Sequence, residues 1–161
     1  MIGRETCIMQ TQNERVPPQK WVKKGGAFVL CIYLLALFYA TLFIYNYYPY
    51  GKSVNLVLFD SIKLMWESGS YWLILKNIIG NILLFMPLGF LIPLVSKKGN
   101  SGLIIAIIGF ATSTLIELLQ YFVAQRIFDI DDILLNALGA VVGYVAFRVV
   151  LNLYRKMKKV K

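Results

Sequence analysis

The sequence predicts an all-α, polytopic membrane protein with four transmembrane helices and a short interfacial helix in the first extracellular loop. Three observations carry that expectation. Hydrophobic residues make up 58% of the 161 residues, and the mean hydropathy is +0.65; soluble domains run at about 45–50% apolar. The apolar residues are gathered into four runs of about 20 residues or more, the length an α-helix needs to cross hydrocarbon. The basic residues alternate along the chain: twelve lie in the N-terminal tail, the 96–100 turn and the C-terminal tail, against three (Lys52, Lys63 and Arg126) in the other two loops. Cytoplasmic segments are the ones enriched in lysine and arginine, so both termini are expected in the cytoplasm.

The remaining composition narrows the function classes. The net charge of +9 is concentrated at the chain ends, which suits anionic lipid headgroups and not nucleic acid. Cys7 and Cys31 make neither a disulfide framework nor a metal motif. Histidine is absent, which removes the commonest metal ligand and the usual proton shuttle near neutral pH. No cofactor and no metal site are expected.

Taken in order, residues 1–25 read as a disordered basic cytoplasmic tail with Arg4, Arg15, Lys20, Lys23, Lys24 and the pair Pro17-Pro18. The membrane domain is expected over residues 26–151, followed by a basic cytoplasmic tail over 152–161. The first span, 26–48, carries no charge and ends in an interfacial edge of Tyr45, Tyr47, Tyr48 and Tyr50. Pro49 and Gly51 open the first loop. There Leu58, Phe59, Ile62, Met65 and Trp66 recur at helical spacing opposite Asp60, Lys63 and Glu67. That pattern predicts a short helix in the interface plane, either packed back on the bundle or covering a site.

The second span, 71–95, places Asn77 and Asn81 four residues apart on one face. Pro87 near its middle predicts a kink. In the third span, 101–124, Ser113, Thr114, Glu117 and Gln120 form one stripe. The hinge QRIFDID at 125–131 contributes Arg126. In the fourth span, 131–151, Asn136 and Gly143 share a face with Asp129 and Asp132 of the hinge region. Gly139 and Gly143 also form a small-xxx-small pair that lets another helix approach closely.

A carboxylate at the bilayer centre costs roughly 2.5–3.5 kcal/mol on insertion scales, so these groups must be satisfied within the protein. At about 1.5 Å per residue, Glu117 lies roughly 10 Å below the outer end of its span and Asn136 roughly 8 Å into its own. The polar groups thus share the outer half of the membrane. The expectation is one polar pocket opening to the extracellular side, built from Asn77, Asn81, Glu117, Gln120, Arg126, Asp129, Asp132 and Asn136. Structural roles compete with it: Asp129 or Asp131 as a helix cap, the amides as interhelical ties, and Glu117 with Arg126 as a buried lock. Arg126, with Lys76, suits a phosphate. The aspartates suit a divalent cation bridging to that phosphate, or a cationic ligand. A membrane lipid or a lipid-linked envelope precursor is a fitting guest.

The segments NIIGNILLFMPLGFLIP at 77–93, ELLQ at 117–120, Arg126, and DIDDILLNALGAVVGY at 129–144 resemble the VanZ-like family, the group built around a teicoplanin-resistance protein. The likeness spans residues 26–150 and leaves out the N-terminal tail. It implies a small multi-pass protein of the bacterial cell membrane, contributing to low-level resistance to glycopeptides and lipoglycopeptides of the teicoplanin type. By matching position, the family's polar residues fall on the same eight named above. The favoured reading is non-enzymatic, with a membrane lipid, a lipid-linked precursor or the lipoglycopeptide itself as partner and no catalytic residue assigned. The alternative is a membrane-embedded enzyme acting on a lipid phosphate or lipid-linked cell-wall precursor, with Glu117 or Asp132 as base and Arg126 as phosphate ligand.

Overall fold

A computed structural model describes residues 20–44, 53–96 and 100–159. Among them are four helices long and apolar enough to cross a membrane: Lys20–Phe43, Tyr71–Val95, Gly102–Phe122 and Ile130–Lys158. The architecture is the all-α, four-span arrangement that the apolar runs predict. In chain order, α1 (Lys20–Tyr39) ends in a π turn at Ala40–Ile44. Strand β1 (Val54–Asn55) and α2 (Asp60–Glu67) make up the described part of the first loop. Helix α3 (Tyr71–Ile74) passes through a second π turn, Leu75–Ile79, into α4 (Gly80–Val95). Then come α5 (Gly102–Phe122), β2 (Phe128–Asp129) and α6 (Ile130–Lys159). The tyrosine edge at 45–50, the tail before residue 20 and lysines 97 and 98 lie outside the described residues.

The helices reach further than the expected tail boundaries. Residues 20–25, expected as disordered tail, are the first turns of α1, and α6 continues past 151 to Lys159. Extending an existing helix is cheap once its nucleus is formed, so basic residues next to an apolar span are wound into it.

The pair α4–α6 is the spine. Three glycines bring the two backbones into contact. A Cβ on Gly143 would lie 1.9 Å from the Met86 carbonyl oxygen, one on Gly139 2.3 Å from that of Ile82, and one on Gly89 1.7 Å from that of Ala140. The small-xxx-small pair of α6 therefore receives α4, and Gly89 returns the fit from the other side. Without a hydrophobic drive between helices in lipid, such close van der Waals approach is what holds them. Helix α5 joins through Gly109, whose Cβ would lie 2.8 Å from that of Ala140.

Around these contacts sits one core of Leu37, Phe85, Leu88, Ile92, Ile105, Ile116 and Ala140. Helix α1 is tied on by two hydrogen bonds. The Tyr33 hydroxyl donates to the Leu84 carbonyl at 2.7 Å, and the Gln120 amide donates to the Thr41 carbonyl at 2.9 Å within the π turn. Helix α4 runs through Pro87 and Pro93 without a break. Pro87 withholds the amide that would reach the Leu83 carbonyl, and Tyr33 meets the next carbonyl along. The outward faces carry exposed apolar side chains, among them Phe28, Leu35, Leu103, Ile107, Val145 and Val149, the surface that lipid covers.

Gly143→Ala must push α4 from α6. Its expected cost is about 1–3 kcal/mol, as for other overpacked cores, read as a lower midpoint for unfolding in detergent. Gly80→Ala, with nothing within 4 Å of its Cβ, is expected to leave the midpoint unchanged or raise it by the equivalent of about 0.4–1 kcal/mol.

Candidate functional site

The site is built where α5 gives way to α6. Helix α5 ends at Phe122, and Gln125 turns the chain with a φ of 51°. The Arg126 amide returns to the Gln120 carbonyl at 3.1 Å. Strand β2 then pairs in parallel with β1, Val54 opposite Phe128 and Asn55 opposite Asp129. Asp129 precedes α6 and caps it, its Oδ1 accepting from the Asp131 amide at 2.9 Å, as an N-cap carboxylate does. The same carboxylate accepts from the Ser61 hydroxyl and, at 3.3 Å, from the Asn55 amide. Its own backbone N–H donates to Oε2 of Glu117 at 3.1 Å.

Asp131 points the other way. Its Oδ1 accepts from the Phe59 amide at 2.7 Å, and its Oδ2 from the Ser61 amide at 3.2 Å. These N–H groups open α2, so a carboxylate from α6 caps the helix of the first loop, and Asp131 is only 2% exposed. Phe59 holds the left-handed conformation, φ 65°, which the Asp131 bond to its amide helps to fix. Because helix N-termini carry partial positive charge, two of them meeting here need the anions that Asp129 and Asp131 supply.

The next layer inward is also paired. The Asn81 amide donates to Asp132 Oδ1 at 2.6 Å, and the Asn136 amide to the Ser113 hydroxyl at 2.8 Å. Glu117 is 3% exposed and faces the protein interior, not lipid. The Asn77 amide donates to the Leu73 carbonyl, four residues back in its own helix, at 2.9 Å.

A cavity of about 580 Å³ lies above this layer. Asn77, Arg126, Asp129, Asp132, Asp60 and Ser61 give it polar walls, while Leu56, Val57, Leu64, Met65, Leu73 and Ile127 give it apolar ones. Of the eight residues expected from the sequence, Asn77, Arg126, Asp129 and Asp132 line it. Asn81 and Glu117 stand behind, holding Asp132 and the Asp129 backbone. Gln120 and Asn136 do not line it and tie helices together. The expected common face of Asn77 and Asn81 divides its work: one amide serves its own helix and the other reaches α6, with the π turn at Leu75–Ile79 altering the register between them. Lys76 is not among the lining residues.

Two alternatives are settled by distances. Arg126 has no carboxylate oxygen within 4 Å among the described residues, so the Glu117–Arg126 lock is not formed. Asp129 and Asp132 line the cavity, but Asp131 does not join them, since its carboxylate is taken up by the first loop. Among the described residues no group of three or more His, Cys, Asp or Glu is placed to hold a metal ion. Asn55 and Ser61 belong to no periodic pattern, and their part in the site comes from contacts with Asp129 and Asp131 across about 70 residues of chain.

A family model described as VanZ/LLP1 matches residues 30–151. No curated protein and no solved structure matches the chain.

Asp131→Ala leaves two amides without their acceptor, a cost of about 1–3 kcal/mol. Hydrogen exchange is expected to rise over residues 53–67 and stay unchanged in the spans. Glu67→Ala removes only the exposed 3.8 Å pair with Lys63 and is expected to change neither.

Proposed function

The chain belongs to the VanZ/LLP1 family, and from that premise we propose that it is an integral protein of the bacterial cell envelope that contributes to low-level resistance to teicoplanin-type lipoglycopeptides through an outward-facing polar pocket. The observation that carries this reading is the cavity. A guanidinium with no carboxylate oxygen within 4 Å among the described residues shares it with Asp132, and apolar side chains from α2, α3 and the first loop complete the walls. A polar floor with apolar sides suits the head of an amphiphile, and Arg126 suits an oxyanion. The guest in this reading is a membrane lipid, a lipid-linked precursor or the lipid-bearing drug, and its capture lowers the drug's access to the outer surface.

The distribution of charge supports the outward orientation. Helix α6 starts with Asp131 and Asp132 at the cavity and ends with Arg155, Lys156 and Lys158. Lys20, Lys23 and Lys24 begin α1. A basic end faces the cytoplasm, which leaves the cavity at the outer face.

A second reading, a membrane-embedded enzyme acting on a lipid phosphate or lipid-linked cell-wall precursor, draws on one further observation. Only Oδ1 of Asp132 accepts a hydrogen bond among the described residues, which leaves Oδ2 available as a base on the cavity that Arg126 also lines. Asp129 and Asp131 are consumed by capping, which favours binding over catalysis.

Expression in a susceptible host is expected to raise the teicoplanin inhibitory concentration several-fold. Arg126→Ala should return it to the host value at unchanged membrane abundance, with Arg126→Lys intermediate because an ammonium lacks the bidentate fork. Retention of the full shift by Arg126→Ala would sink the pocket as the route. Turnover of a lipid phosphate by the purified protein would move the account to the enzyme reading.

A further inference from the structure

The cavity holds opposite charges that the fold keeps apart. Arg126 is positive; Asp60, Asp129 and Asp132 are negative and line the same space. In a shared partly buried cavity a free guanidinium and a free carboxylate gain by closing on one another, yet among the described residues Arg126 has no carboxylate oxygen within 4 Å. Their mountings explain why. Asp132 is held toward α4 by Asn81. Arg126 is set by its backbone bond to Gln120 and by the left-handed turn at Gln125.

The acids are not equivalent. Asp129 is saturated by the Ser61 hydroxyl, the Asn55 amide and the Asp131 amide. The Asp60 carboxylate and Asp132 Oδ2 accept no hydrogen bond among the described residues. The cavity therefore offers one cationic contact and two anionic ones, among apolar side chains from the first loop, α3 and the hinge.

We infer that the cavity selects a zwitterionic head, an oxyanion for Arg126 joined to an ammonium for Asp132 and Asp60, carried on an apolar chain that lies along Leu56, Val57, Leu64 and Leu73. This rests on the reading above that the cavity holds an amphiphile. A guest with only an oxyanion sets its charge among three carboxylates. A guest with only a cation leaves Arg126 uncompensated. A head bearing both signs meets each wall with its opposite, and complementary charge is the usual source of such discrimination. An amino-phospholipid headgroup and a water-soluble phosphoamine share this chemistry, and the apolar walls favour the lipid.

The test is native mass spectrometry of the purified full-length chain in detergent, titrated separately with phosphatidylethanolamine, phosphatidylglycerol and soluble phosphoethanolamine. The wild type is expected to retain phosphatidylethanolamine about tenfold better than phosphatidylglycerol, as one well-placed charge contact provides, and to retain soluble phosphoethanolamine poorly. Asp132→Asn should bring the two lipids level. Asp60→Asn should move the ratio the same way and serves if the first variant does not fold. Arg126→Ala should lose both lipids. Equal retention of both lipids by the wild type, with no change in either acid variant, overturns the zwitterion assignment and leaves the amphiphile pocket standing. Retention by the wild type no better than by Arg126→Ala overturns the pocket as well. Soluble phosphoethanolamine binding as tightly as the lipid overturns the part of the inference that requires an apolar chain.

Discussion

Two helix N-termini, those of α2 and α6, meet at one end of the bundle, and the carboxylates of Asp129 and Asp131 join them. Each opening turn presents amides that its own helix cannot satisfy. Asp129 answers those of α6, and Asp131 those of α2. The division of labour explains the D-I-D-D spacing. Residue 129 caps its own helix, residue 131 reaches back over the first loop, and residue 132 turns inward to Asn81. The loop that walls the cavity is thereby fixed to the helix that forms its floor, although α2 buries none of its own residues.

The geometry at that end depends on how closely the helices approach below it. Gly139 and Gly143 admit the backbone of α4, and Gly89 accepts that of α6. Side chains at these positions would widen the pair and draw Asn81 away from Asp132. Packing in the membrane interior and polar chemistry at the rim are consequently one arrangement. The small residues set a distance, and the amide–carboxylate pair uses it. Glu117 belongs to the same arrangement. Buried on α5, it takes the Asp129 amide and fixes where the hinge leaves the third span.

The spans were legible because a run of about 20 apolar residues has few other destinations, and Gly139 and Gly143 because four-residue spacing puts small residues on one helix face. The convergence of α4, α5 and α6 on polar contacts was legible too, since Asn81, Glu117, Asp132 and Asn136 each had to find a partner out of lipid. Their individual duties were not. Asn77 and Asn81 read as equivalent in a regular helix, and the π turn between them follows no recognisable sequence signal. The pairing of β1 with β2 spans two residues on each side, too short for any alternation to announce it. Asp129 or Asp131 read as the cap of α6; Asp129 makes that cap, whereas the one Asp131 makes belongs to α2, some 70 residues earlier in the chain. Residues 20–25 read as tail by composition, and the helix continues through them from the adjacent span.

The first loop is fastened over the start of α6. Cysteines placed at Val54 and Phe128, ladder partners outside the polar network, test it in native membranes, in a chain with Cys7 and Cys31 replaced by serine. Ladder partners sit at a Cα separation that a disulfide can bridge. A rapid intramolecular cross-link is expected on mild oxidation, lost when Asp131→Ala is added. Failure of Val54→Cys and Phe128→Cys to cross-link in membranes, while a Ser113→Cys, Asn136→Cys pair in the span interior does so, would contradict it.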